Sequence, residues 1–298
     1  MSSGNFLADI KSGKTLVLDG ATGTNLQARG LDKGKSGEAW ILEKPEQIIA
    51  LHREFITAGS NIILTCTFNG NHFRLQHLGL EDQEKDINQI AVSLAKEAVG
   101  DDEIFIAGSI GPTGQMLKPF GSLDPDEAKA AFASQAKILD QANVDLLVVE
   151  TQFDISEAVA AVNGVRSVSG LPLIVSFSYD RGLRTMMGVK PAQVASEMEA
   201  LGVDGIGINC GRSLDENMKV LAELRSLTSL PVWFKPNAGL PHLDSTGITV
   251  YDVKPEMMGD KAGEWIATGA NMIGGCCGTT PEHLAKIAQN VVNYSVKK

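Results

Sequence analysis

Aromatic side chains are scarce in this chain of 298 residues: three Tyr, three Trp and ten Phe, 5% in all. A recognition surface built on stacked rings is therefore a poor expectation. Basic charge is also in deficit, with 26 Lys and Arg against 36 Asp and Glu, a formal net charge of −10. That field repels nucleic acid and anionic membrane surfaces, so neither is expected as a partner. No apolar run approaches the roughly 20 residues that span a bilayer. The opening residues, MSSGNFLADIKSGK, carry no apolar leader, which makes a cytoplasmic location the expectation. Cysteine is limited to four residues, and in a reducing compartment metal binding or catalysis is favoured over disulfides.

What is present is ordinary for a globular chain with a sizeable core, 43% hydrophobic and 21% charged. Short β-branched runs alternate with longer amphipathic segments from end to end. Strands are expected at 15–21, 61–68, 103–110, 144–151, 172–178, 205–210, 231–236 and 271–276. Helices are expected near 45–58, 82–99, 124–141, 154–168, 190–201, 214–227, 255–268 and 280–293. Asp124 and Pro125 suit an N-cap and first helical position, as do Thr280 and Pro281. Nearly continuous apolar strands indicate burial on both faces, as in a parallel sheet. Eight such units predict an α/β fold of the (β/α)8 TIM-barrel type, with residues 1–298 forming one domain. A doubly wound open sheet is the alternative, weakened because the first turn, Asp19-Gly-Ala-Thr-Gly-Thr24, lacks a full dinucleotide fingerprint.

In a barrel the C-terminal strand ends converge on one face. Three of the four cysteines fall there: Cys210 after the sixth strand, and Cys276 and Cys277 after the eighth. Three thiolates make a tetrahedral zinc site with one position open, and soft sulfur selects zinc over magnesium or calcium. Buried structural thiols and a redox pair stay open as alternatives from these residues alone. An open position among three thiolates suits a substrate thiol, which a coordinating ion deprotonates. No His lies at a strand end, so a hydrolytic zinc centre is disfavoured. Cys66 falls inside the second strand and reads as core.

The motifs that accompany these cysteines resemble those of the homocysteine S-methyltransferases. They are Leu18-Asp-Gly-Ala-Thr-Gly-Thr24, Ala58-Gly-Ser-Asn-Ile-Ile-Leu-Thr-Cys-Thr-Phe68, Ile110-Gly-Pro-Thr-Gly114, Gly207-Ile-Asn-Cys210, Pro236-Asn-Ala-Gly239 and Gly274-Gly-Cys-Cys-Gly-Thr-Thr-Pro281. The resemblance spans essentially the whole chain, and the paired-cysteine block is its most specific part. It implies a barrel whose Zn2+, held by Cys210, Cys276 and Cys277, binds the sulfur of homocysteine during methionine formation. It further implies Asp19 and Glu150 at the substrate amino group and Asn237 at the fourth zinc position when substrate is absent. Gly20 and Thr22 would offer backbone N–H groups to the substrate carboxylate, and Phe68 would shape the pocket.

The family includes enzymes that use betaine, S-methylmethionine or a methylcorrinoid as donor. A betaine pocket calls for an aromatic cage, for which only Trp40 and Phe68 are at hand. The segment Gly37-Glu-Ala-Trp-Ile-Leu-Glu-Lys-Pro45 is closer to the homocysteine module of cobalamin-dependent methionine synthase, although the other modules of that enzyme are missing from this sequence. A separate methylated corrinoid protein is therefore the expected donor, with S-methylmethionine or betaine as the alternative. A different class of reading is a non-catalytic thiol-binding subunit of a corrinoid assembly.

Overall fold

A computed structural model describes residues 3–32, 34–245 and 249–296. Eight parallel strands form the core: β1 (Leu16–Val17), β2 (Ile62–Leu64), β3 (Phe105–Ile110), β4 (Leu146–Gln152), β5 (Leu173–Phe177), β6 (Gly205–Cys210), β7 (Val232–Pro236) and β8 (Met272–Ile273). They pair in the order β1-β8-β7-β6-β5-β4-β3-β2. A parallel bridge between Leu18 and Ile62 links the two ends of that series. The result is a (β/α)8 TIM barrel, as the alternation of apolar runs predicts.

Side-chain alternation divides the apolar residues into two cores. Leu16, Leu18, Ile62, Leu64, Phe105, Ala107, Leu146, Val148, Ile174, Trp233 and Met272 cluster inside the barrel. Residues of opposite parity, such as Val17, Ile63, Ile106, Leu147, Val149 and Phe234, pack outward against the helices. The helix Ser3–Lys11, which the hydrophobic pattern does not predict, places Phe6 and Ile10 in the interior cluster and so plugs its N-terminal end. Burial of large side chains at both layers contributes about 1.5–3 kcal/mol each relative to exposure.

The eight expected helices are present, from Pro45–Thr57 to Pro281–Val296. Asp124 caps its helix by accepting from Asp126 N–H. At the last helix the roles are reversed from the expected cap. The Nδ1 atom of His283 accepts the Thr280 N–H at 3.1 Å, which leaves Nε2 as the donor to Val253 O at 2.9 Å. His283 thus ties the last helix to the segment that follows β7.

Three short helices and a hairpin lie in the βα connections where only loops were expected: Thr22–Ala28, Gly37–Glu43, His72–Gln76, and the pair His242–Leu243 with Thr249–Val250. Their brevity hides any periodicity. Strands β1, β2 and β8 are shorter than the apolar runs suggest, because the chain leaves regular pairing at Asp19, Thr65 and Gly274. A Cβ on Gly274 would stand 2.6 Å from the Leu18 Cβ and 2.8 Å from Asp19 O, so only glycine permits that approach. No helix among the described residues is long and apolar enough to cross a membrane.

Candidate metal centre and substrate cavity

The uppermost inward positions of the barrel are polar. Extending the interior alternation by two residues leads from Ala107 to Ser109, from Val148 to Glu150, from Ile174 to Ser176 and from Trp233 to Lys235. All four side chains are buried. Above them lies a cavity of about 450 Å³, within the range of small-molecule sites. Its walls include Gly20, Thr22, Glu38, Phe68, Ser109, Glu150, Thr151, Lys235 and the three cysteines Cys210, Cys276 and Cys277.

The three sulfur atoms lie within 4.8 Å of one another, and Cys210 Sγ is 3.1 Å from Cys276 Sγ. By strand parity Cys210 would point outward from β6. It enters the cavity because its backbone is left-handed, at φ 59°, followed by Gly211 at φ 78°. For a non-glycine residue that conformation costs roughly 1–2 kcal/mol, and Asn209 holds it in place. The Asn209 amide nitrogen donates to Thr151 Oγ1 at 2.7 Å and to Cys210 Sγ at 3.3 Å. Its carbonyl oxygen accepts from Ser176 Oγ at 2.5 Å. Cys276 is fixed by its own N–H on Pro236 O at 2.9 Å, and Cys277 by its carbonyl, which accepts the Ala238 N–H at 2.9 Å. Among themselves the thiols share protons unevenly. Hydrogen bonds from Cys210 and then Cys276 draw Cys277 down to about 3, while the hydrogen bond with Cys276, then that with Cys277 and burial, push Cys210 up. Three sulfurs in such close approach make an electron-rich site for a soft cation.

Glu150 is 8% exposed, and its Oε1 accepts from Ser109 Oγ at 2.5 Å. Burial raises its pKa to about 7, partly opposed by the charge of Lys235. Asp19 is placed differently. Its Oδ1 receives Lys235 Nζ at 2.5 Å and its Oδ2 receives the Leu64 N–H at 2.8 Å, and it is not among the residues lining the cavity. The carboxylate thus bridges β1 to β2 and to β7. Gly20 and Thr22 line the cavity where the helix Thr22–Ala28 begins, with the Ala21 N–H between them already bonded to Thr279 Oγ1 at 3.2 Å. Phe68 lies against Gly111, where a Cβ would stand 2.4 Å from Phe68 O. Asn237 is not among the residues lining the cavity: its N–H bonds Cys210 O at 3.1 Å and its Nδ2 donates to Gly211 O at 2.9 Å, while the buried Oδ1 has no partner. Cys66 is not within β2, which ends at Leu64. It is buried in the cavity wall, beside Gly37, and is separate from the sulfur trio.

Lys235 and Glu38 are the site residues that motif reading missed. Strand parity would have found Lys235, two residues after the interior Trp233. Glu38 has no such signal: it sits on a short helix in a βα connection, buried, accepting the Asn69 N–H at 2.7 Å.

A family model described as homocysteine S-methyltransferase matches residues 16–291. The chain belongs to the homocysteine S-methyltransferase family. Among relatives, methionine synthase of Mycobacterium tuberculosis is 30% identical over 96% of this chain, and that of Mycobacterium leprae is 30% identical over 96%. The chain spans about a quarter of the length of these curated relatives, 25% in each case. The homocysteine methyltransferase MmuM of Escherichia coli, in a metallated form, superposes with a TM-score of 0.79 at 26% identity. That match covers 93% of this chain and 96% of the other. In this family member the sulfur trio, its supporting Asn209 and the cavity above them form one continuous unit.

Proposed function

We propose that this barrel is a zinc-dependent homocysteine S-methyltransferase that forms methionine, using a methylated corrinoid protein as donor. The observation that carries the reading is the convergence of Cys210, Cys276 and Cys277 in the wall of a cavity large enough for an amino acid. The donor set fits zinc: three soft sulfurs lie in close approach, and Asn237, whose buried Oδ1 has no hydrogen-bond partner, is the side chain we assign to the fourth position before substrate arrives. Bound there, zinc would supply the Lewis acidity that keeps the substrate thiol deprotonated at neutral pH.

The chain's own residues hold and orient. Asn209 keeps the Cys210 side chain turned inward. Glu150 offers a carboxylate to the substrate ammonium, and burial at the barrel mouth strengthens that charge-assisted hydrogen bond. Gly20 and Thr22 present backbone N–H groups on the carboxylate side of the substrate, and Phe68 shapes the wall. The thiol proton is released to solvent, and the substrate sulfur then attacks the donor methyl in line. The new S–C bond forms as the methyl–donor bond breaks, the bonding pair leaves with the donor, and no side chain acts as base.

The cavity wall argues against betaine as the donor. Phe68 is the single aromatic residue lining it among the described residues. Trp40 is buried at 2% exposure and packs outside the cavity under Lys44. A quaternary ammonium is bound by several aromatic faces, which this wall does not offer. The match to two methionine synthases points the same way. The test is to incubate zinc-loaded protein with homocysteine and, separately, methylcobalamin, S-methylmethionine or betaine, and to measure methionine. Product from methylcobalamin supports the reading. Product from only a small onium compound would overturn the donor. Tight homocysteine binding with no product from any donor would favour a non-catalytic thiol-binding subunit.

A further inference from the structure

A lysine inside a barrel is costly, since an ammonium loses its hydration there. Lys235 is 3% exposed, yet it lines the cavity whereas its ion-pair partner Asp19 does not. Both Asp19 oxygens are occupied, one by Lys235 Nζ at 2.5 Å and one by the Leu64 N–H at 2.8 Å. A protonated lysine has three N–H donors, and Asp19 is the one hydrogen-bond acceptor that the structure gives Lys235. The charge presented to the cavity at this point is therefore positive. Glu150 supplies the opposite charge across the same space, with one oxygen on Ser109 and the other left for the cavity.

The amino-acid end of homocysteine carries one charge of each sign. Its ammonium is repelled by Lys235 and attracted by Glu150, and its carboxylate is subject to the reverse. The geometry points to a two-charge grip in which Lys235 binds the substrate α-carboxylate, Glu150 binds the α-ammonium, and Asp19 acts from behind as the residue that positions Lys235. This rests on reading the cavity as the homocysteine site. It reassigns Asp19 from contact with the substrate to support of the residue that makes it. It also makes the carboxylate, rather than the thiol alone, a determinant of specificity.

The test compares two thiols by titration calorimetry on the zinc-loaded protein: L-homocysteine, and 3-mercaptopropylamine, which keeps the thiol and the ammonium but lacks the carboxylate. The proteins are the wild type, Lys235→Met, and the double variant Asp19→Asn/Lys235→Met, which removes both buried charges and so leaves no unpaired carboxylate if the single variant fails to fold. Loss of a charged hydrogen bond predicts that both variants bind homocysteine about 10–100-fold more weakly. In the double variant, where the net charge of the buried pair is unchanged, the affinity for 3-mercaptopropylamine should stay within about twofold, the size of an uncoupled change. Equal weakening of both thiols would make Lys235 a structural counter-ion and overturn the proposal. Unchanged homocysteine affinity in the double variant would overturn it too. A wild-type protein that binds neither thiol would instead refute the functional reading on which the proposal stands.

Discussion

Asn209 Oδ1 accepts the Thr151 backbone N–H at 2.9 Å, joining the ends of two strands that are separated by β5. Thr151 is left-handed at φ 61°, as Cys210 is at φ 59°, and the same amide reaches both. Two strained turns are thus held by one side chain, and one of them aims a thiol of the sulfur trio. Removing Asn209 should release Cys210. We expect Asn209→Ala to lower zinc affinity about 10–100-fold, the usual effect of losing a group that orients a ligand. Competition with a chromophoric chelator measures it, and unchanged affinity would show that Cys210 needs no such support.

Cysteine substitutions should separate the trio from the fourth thiol. Cys210→Ser, Cys276→Ser and Cys277→Ser are each expected to reduce bound zinc well below one per chain. Cys66→Ser should leave it near one, because Cys66 lies outside the sulfur cluster. Metal analysis after gel filtration decides between these outcomes. Loss of zinc in Cys66→Ser would place Cys66 in the centre.

Much of this arrangement could be read from the chain. Eight apolar runs gave the barrel, and strand-end position brought Cys210, Cys276 and Cys277 to one face. The ion pair of Asp19 with Lys235 is not legible in the motif, because adjacent residues do not reveal a partner 216 positions away. The apolar run continues through Cys66 and so reads as strand, whereas the backbone turns away where Thr67 N–H bonds Thr65 O. The helices Thr22–Ala28, Gly37–Glu43 and His72–Gln76 are at most two turns long, too short for periodicity to register.

Glu150 should impose a pH dependence on substrate binding. Its burial raises the pKa to about 7, so the carboxylate that pairs with the substrate ammonium is lost below that pH and gained above it. Homocysteine affinity should therefore rise through pH 7 more steeply than that of 4-mercaptobutyrate, which shares the thiol and the carboxylate but has no ammonium. In Glu150→Gln the two thiols should show the same pH slope. Calorimetry across this range is the measurement, and a persistent difference in the variant would assign the titration elsewhere.

His52 should govern acid stability. Desolvation lowers its pKa to about 4 from 6.5, despite the nearby charge of Asp19. The unfolded chain then binds the proton that the folded chain refuses, so stability falls as pH drops from 6.5 towards 4. A contribution on the order of 2–3 kcal/mol follows from a shift of this size. His52→Leu should flatten the loss of stability over that window in urea titrations. An unaltered slope would mean that the folded chain takes up the His52 proton over the same pH range as the unfolded chain.

The central claim is that zinc on Cys210, Cys276 and Cys277 receives the sulfur of homocysteine. X-ray absorption at the zinc edge, with and without homocysteine, tests it directly. We expect three sulfur ligands at about 2.3 Å and one nitrogen or oxygen ligand in the free protein, becoming four sulfurs when homocysteine is added. A coordination sphere that gains no sulfur, or a protein that binds no zinc at these cysteines, would contradict the account.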